Sequence, residues 1–295
     1  MPLVTLREVL PRARRDRYTI GAFNVDNLEL MRAVIEAAEE ENAPVIVEIG
    51  ERELRKIGIP FFAVLAKERA IKSKVPVVVH LDHGRSPEFI GECLKAGFSS
   101  VMFDGSARPI EENIQMTKEI VGMAGKYGAS VEAEVGRVPG IEGSVATTVS
   151  SNAENIVLTD PEEASRLVEE TKVDALAVSI GTAHYMRRKP FTLDFELLKE
   201  LSCSINVPLV LHGGAAVTDE DMRHCVELGI CKYNIAFKVY KALISGIDSA
   251  LSEMIEEVAP GRLVVSPASI IDRGLACARD EIRQKIRILG SAGKA

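Results

Sequence analysis

Short β-branched runs alternate with longer stretches of helical periodicity along almost the whole chain, and this alternation restricts the fold more than any other feature. Such a pattern predicts repeated βα units around a parallel sheet. Eight strands are read at 19–23, 44–48, 75–81, 99–103, 129–134, 175–180, 208–211 and 232–235, with helices between them such as 28–40, 110–126, 161–170 and 219–228. Thr159-Asp160-Pro161-Glu162-Glu163 supplies an N-cap side chain, a first-turn proline and acidic residues set against the helix dipole. Two further helices, 239–258 and 269–289, follow the last strand, and 290–295 reads as a frayed tail. The expectation is a TIM (β/α)8 barrel with extra C-terminal helices. A barrel of this kind needs about 250 residues, so 295 residues are expected to form one domain, 1–295.

Composition narrows the partners. A formal net charge of −7 and the lack of a Lys/Arg stripe interleaved with aromatics argue against nucleic acid. No apolar run approaches the roughly 20 residues that span a bilayer, and charges early in the sequence interrupt any signal-peptide core, so no membrane and a cytoplasmic location are expected. The five cysteines, 93, 203, 225, 231 and 277, lie far apart and include no C-x-x-C pair, which points to buried fillers rather than disulfides or a thiolate metal site. A small molecule is the expected partner.

Barrel enzymes carry their reactive groups at the C-terminal ends of strands. His83, His184 and His212 follow the third, sixth and seventh strands. Imidazole is a preferred ligand of Zn2+, and three protein ligands with one open position define a catalytic zinc site. One histidine alone is more often a hydrogen-bonded side chain, but three converging on one mouth make a metal centre. His224, inside an amphipathic helix, is read as structural. His80 shares strand parity with Asp82 one step deeper and is read as a packing or supporting residue.

In His80-Leu81-Asp82-His83-Gly84, strand alternation is expected to send Asp82 toward substrate and His83 toward metal, a pairing suited to deprotonating a hydroxyl beside a polarised carbonyl. Asp104 and Glu134, also at strand ends, are candidates either for alternate metal ligands or for groups that orient the histidines. Gly213 and Gly214 let backbone amides face a ligand, and Asn234 offers an amide at the end of strand eight. The connection 136–157 is long and weakly periodic, and is expected to act as a lid.

Together these segments resemble the class II, metal-dependent fructose-bisphosphate and tagatose-bisphosphate aldolases. FNVDN at 23–27, HLDHG at 80–84, SVMFDGS at 100–106, SVEAEVG at 130–136, LTDPEEA at 158–164, VDALAVSIGTAH at 173–184, PLVLHGG at 208–214 and LGICKYNIA at 228–236 occur in the family's order. The resemblance implies Zn2+ on His83, His184 and His212, with Asp82 exchanging a proton with the C4 hydroxyl and zinc stabilising an enediolate as the C3–C4 bond breaks. It also implies a proton-moving role at C3 for Glu142 and substrate contacts for Asn24, Gly181, Gly213, Gly214 and Asn234. A monovalent cation, Na+ or K+, and a homodimer or homotetramer are further implications.

The departures gather in one subsite. Ala215 stands where the family usually has serine after the third histidine, Phe237 where it has threonine, and Tyr185 where it has glycine. At the end of strand two, a family serine is replaced by Gly50. Each hydroxyl lost from a phosphate dianion should cost roughly 1.5–3 kcal/mol. The expected activity is therefore reversible retro-aldol cleavage of a ketose, ketose phosphate or related keto-sugar, on a substrate lacking the C1 phosphate. Two alternatives stay open: a zinc-dependent ketose epimerase or isomerase on the same scaffold, and a non-catalytic aldolase-like subunit.

Overall fold

The computed structural model describes residues 2–139, 156–184, 192–257 and 266–295. Eight parallel strands close into a barrel in the order of the sequence. They are β1 (Ile20–Asn24), β2 (Val45–Gly50), β3 (Val77–Gly84), β4 (Ser100–Phe103), β5 (Ser130–Val135), β6 (Ala175–Val178), β7 (Leu209–Leu211) and β8 (Ile230–Ile235). β1 closes the ring on β8, with Ala22 opposite Asn234 and Ile20 opposite Lys232.

The expected helices form, and two features add to them. Helix α1 (Leu6–Asp16) precedes the barrel and buries Leu6, Leu10 and Ala13 with Ile20, Ile46, Val78, Met102 and Val210, so it plugs the N-terminal mouth. The Leu6 amide donates to Ser130 Oγ at 2.9 Å, which pins the plug to β5. Between β2 and β3 the chain makes two helices, α3 (Glu51–Ile57) and α4 (Ile59–Ile71), after α2 (Leu28–Glu40). The remaining outer helices are α5 (Pro87–Ala96), α6 (Ile110–Gly125), α7 (Pro161–Thr171), α8 (Phe195–Ser204) and α9 (Asp219–Glu227). They lay apolar faces on the barrel's outer wall, where Ile114, Ile120, Leu167, Leu198 and Leu201 are buried.

Helix α10 (Phe237–Glu257) packs on α11 (Pro267–Ile288), and α11 packs on α2. The reading of 290–295 as frayed is corrected: Ser291 is buried, and Gly293 and Ala295 donate backbone hydrogen bonds to the carbonyls of Glu41 and Asn42 at 2.9 and 3.0 Å. Among the described residues no helix is long and apolar enough to cross a membrane.

Candidate active site

The site grows from what each strand turns inward. β3 runs further than expected and carries Asp82 and His83 within it. Its register with β4 shifts between Leu81 and Gly84, and His83 has a left-handed φ of 46°. A bulge re-aims one side chain, so strict alternation between Asp82 and His83 does not hold. Both face the mouth, with Asp82 Oδ1 4.0 Å from His83 Nε2.

His184 comes from the loop six residues past the end of β6, and His212 leaves the end of β7 at once. Gly213 makes their approach feasible. At φ 74° it lies so close to the neighbouring loop that a Cβ would meet the Ala183 backbone at 2.9 Å. One ring nitrogen from each of His83, His184 and His212 falls within 4.8 Å of the others.

The protonation pattern of these imidazoles suits a cation. His83 Nδ1 donates to Asp104 Oδ2 at 3.0 Å, and His212 Nε2 donates to Glu132 Oε1 at 2.8 Å. That leaves His83 Nε2 and His212 Nδ1 as acceptors facing one another at 3.0 Å. Two lone pairs at this distance repel unless a cation lies between them. His184 Nε2 is buried with no hydrogen-bond partner among the described residues. Burial, reinforced by the neighbouring imidazoles, holds His184 and His212 below the ordinary histidine range, so both are neutral and ligand-ready. The donor set fits Zn2+, with carboxylates on the outer nitrogens as zinc histidines commonly have.

Asp104 accepts from His83 and from the Ser106 hydroxyl at 2.6 Å. Burial opposes its charge, yet the His83 and Ser106 hydrogen bonds hold its carboxyl below the usual range. Glu134 lies 4.0 Å from His83 Nδ1, and burial together with the nearby Asp104 charge pushes its carboxyl up to about 8. Asp104 thus holds His83 by its outer nitrogen, and one donor atom from each of His83, Asp104 and Glu134 also falls within 4.8 Å of the others.

Asp82 is held from both sides. Asn24 Nδ2 donates to its Oδ2 at 3.1 Å and Asn234 Nδ2 to its Oδ1 at 3.2 Å. A pocket beside these groups is lined by Asn24, His184, Gly213, Gly214 and Asn234, with Ala215, Phe237 and Lys238 in its wall. Gly181 stands apart from that wall, at a loop turn against the Thr192 carbonyl. Glu142 and Tyr185, and residues 140–155 of the connection 136–157, lie outside the described residues. His224 is on the outside, with its ring edge-on to Phe195.

Beneath the mouth is a charged layer that the motif reading passed over. Lys232 Nζ, fully buried, lies 3.0 Å from Glu132 Oε2 and 3.3 Å from Glu48 Oε2. His80 joins it, with Nδ1 2.8 Å from Ser100 Oγ and Nε2 3.6 Å from Glu132. Burial and the Lys232 charge drive His80 down to about 3, so it is neutral. Burial would raise Glu132, but Lys232 and His212 hold it at about 2, whereas burial and the Asp82 charge push Glu48 well above the carboxylate range. Lys232 is thus an ammonium with the Glu132 carboxylate as its nearest partner. The signal lay in strand parity: Lys232 and Glu132 sit two residues before Asn234 and Glu134, on the same inward faces.

The chain was compared with known proteins. The family described as "Fructose-bisphosphate aldolase class-II" matches residues 4–294. The 6-phospho-5-dehydro-2-deoxy-D-gluconate aldolase of Bacillus licheniformis is 37% identical over 300 residues, covering 100% of this chain and 97% of that one. A fructose-bisphosphate aldolase of Staphylococcus aureus is 35% identical over 299 residues, covering 100% of both. The crystal structure of the YdjI aldolase from Escherichia coli K12 superposes with a TM-score of 0.83 at 33% identity, covering 99% of each chain. With a closed eight-stranded barrel, three converging imidazoles and a match over nearly its whole length, this chain belongs to the class II fructose-bisphosphate aldolase family and is an aldolase, a carbon–carbon lyase.

Proposed function

We propose that this aldolase holds one Zn2+ on His83, His184 and His212 and uses Asp82 as its acid/base, cleaving a keto-sugar whose ketone end does not carry the usual C1 phosphate. The observation that carries the reading is the pair of inner imidazole nitrogens facing at 3.0 Å next to Asp82, with the outer nitrogens held by Asp104 and Glu132.

Zinc, when bound, supplies a fixed positive charge that polarises the ketone and draws off the negative charge developing as the carbon–carbon bond breaks. Asp82 takes the C4 hydroxyl proton during cleavage and returns it during condensation. The amides of Asn24 and Asn234 hold its carboxylate in place for that transfer. Asn234, which also lines the pocket, contacts the substrate oxygen, and Gly213 and Gly214 offer backbone amides. Glu142 is assigned the proton at C3.

The substrate reading rests on the pocket wall. Ala215 and Phe237 line it where serine and threonine hydroxyls would meet phosphate. The chain is further proposed to act as one domain, as a homodimer or homotetramer in the cytoplasm, with a Na+ or K+ ion beside the site. A retro-aldol screen of phosphorylated and unphosphorylated ketoses and keto acids, with and without zinc, tests the proposal. Zinc-dependent aldehyde release from a substrate without the C1 phosphate is expected, while a clear preference for 1,6-bisphosphates would overturn the substrate reading.

A further inference from the structure

We propose that Lys232 is a positioning residue, which sets the amide of Asn234 and through it the catalytic carboxylate of Asp82. The inference rests on Asp82 being the acid/base and deepens that reading.

The geometry allows one orientation of the amide. Lys232 Nζ donates to Asn234 Oδ1 at 2.7 Å, while Asn234 Nδ2 donates to Asp82 Oδ1 at 3.2 Å and lies 3.3 Å from His212 Nδ1. Turning the amide over would set its NH2 against an ammonium and its oxygen against a carboxylate. Both contacts would then be repulsive between buried groups, Lys232 and Asp82 having no exposed surface. Lys232 has no acceptor capacity, so it imposes the orientation rather than following it.

Lys232 is itself immobilised. Its ammonium is fully buried, 3.0 Å from Glu132 and 3.3 Å from Glu48, at the bottom of the same barrel mouth. Lys232 and Asn234 share the inward parity of β8, so the strand fixes the spacing between the charge and the amide. The chain Glu132–Lys232–Asn234–Asp82 runs from the barrel interior to the reacting atoms. Without its upper half, Asp82 would keep the Asn24 amide on Oδ2 but lose the Asn234 amide from Oδ1. A misplacement of this kind far from the bond being broken can cost about 100-fold in rate.

Lys232→Met alone leaves the Glu132 charge unpaired in the barrel and is a poor test. Lys232→Met/Glu132→Gln removes both charges and keeps an acceptor for His212 Nε2, so it is compared with Glu132→Gln. Zinc content, zinc affinity by chelator competition, and the separate kcat and KM are measured with the substrate that wild-type protein cleaves best in the retro-aldol screen. The expected result is a kcat per bound zinc about 100-fold below that of Glu132→Gln, with KM and zinc affinity each within about 3-fold. A merely structural lysine would lower thermal stability or zinc occupancy and leave kcat per bound zinc unchanged. A kcat within about 3-fold of Glu132→Gln in zinc-loaded protein would overturn the proposal.

Should the double variant fail to fold, Lys232→Arg decides. It keeps the charge but moves the donor away from the Asn234 oxygen, so kcat is expected to drop at least about 10-fold, and an unchanged kcat would overturn the inference. Wild-type protein, zinc-loaded and chelator-stripped, and Asp82→Ala are assayed alongside. Full turnover by the stripped protein or by Asp82→Ala would count against the assignment of zinc or of Asp82, a failure separate from that of Lys232.

Discussion

Asp82 accepts one amide on each carboxylate oxygen and lies beside three imidazoles, so its removal tests a single chemical role. Asp82→Ala should lower kcat by about 1,000-fold, within the usual range for a general acid/base. Metal analysis should still find one zinc per chain, since the residue is not among the three imidazole ligands. Gly213→Ala should destabilise the protein by about 1–3 kcal/mol, because its φ of 74° strains any side chain and the Cβ strikes Ala183. Chemical denaturation measures that loss. The convergence of His83, His184 and His212 was legible in the sequence because each stands at or just past the end of a strand and the fold sends strand ends to one mouth. The aim of His83 was not, because the β3 bulge and its left-handed φ arise from pairing with β4. Lys232 and Glu132 were overlooked for another reason. A charge inside an apolar strand reads as a break in the pattern until barrel closure places both on the interior faces.

At the level of elements, local chemistry predicted best where it acts locally. Asp160 caps α7, its Oδ1 accepting from the Glu162 and Glu163 amides at 2.9 and 3.0 Å. Asp160→Ala should cost about 1 kcal/mol in thermal or chemical unfolding. Thr159 turns instead to the barrel, donating to the Val135 carbonyl at 2.6 Å and accepting from the Ser179 amide at 2.7 Å. The C-terminal tail was misread because its anchors are backbone groups at Glu41 and Asn42, far off in sequence. Arg283 and Arg287 fasten the same corner, both bonded to the Glu41 carboxylate at 2.7–2.9 Å. The Arg287 hydrogen bond, aided by Arg283, holds Glu41 below the ordinary carboxylate range. A carboxyl lowered on folding contributes stability that is present above its unfolded value, about 4.3, and is lost as pH falls through the folded one. Between pH 6 and pH 3 the Tm of Glu41→Gln should therefore fall less steeply than that of the wild type.

For the whole molecule, eight βα units were readable because their period survives without any tertiary information. The plug α1 and the two-helix excursion α3–α4 depend on which apolar faces find the barrel, and they emerged only with the fold. Closure of β1 on β8 brings together Asn24, Asn234 and Lys232 from opposite ends of the chain, so the Asp82 carboxylate is framed by the barrel's seam. The account stands on the claim that this frame works around one zinc ion. Its most direct test is zinc titration of chelator-stripped wild-type protein, following aldehyde release from the best substrate of the screen. Activity should be absent without metal, rise in proportion to added zinc and level off at about one ion per chain. Full turnover by the stripped protein would contradict it.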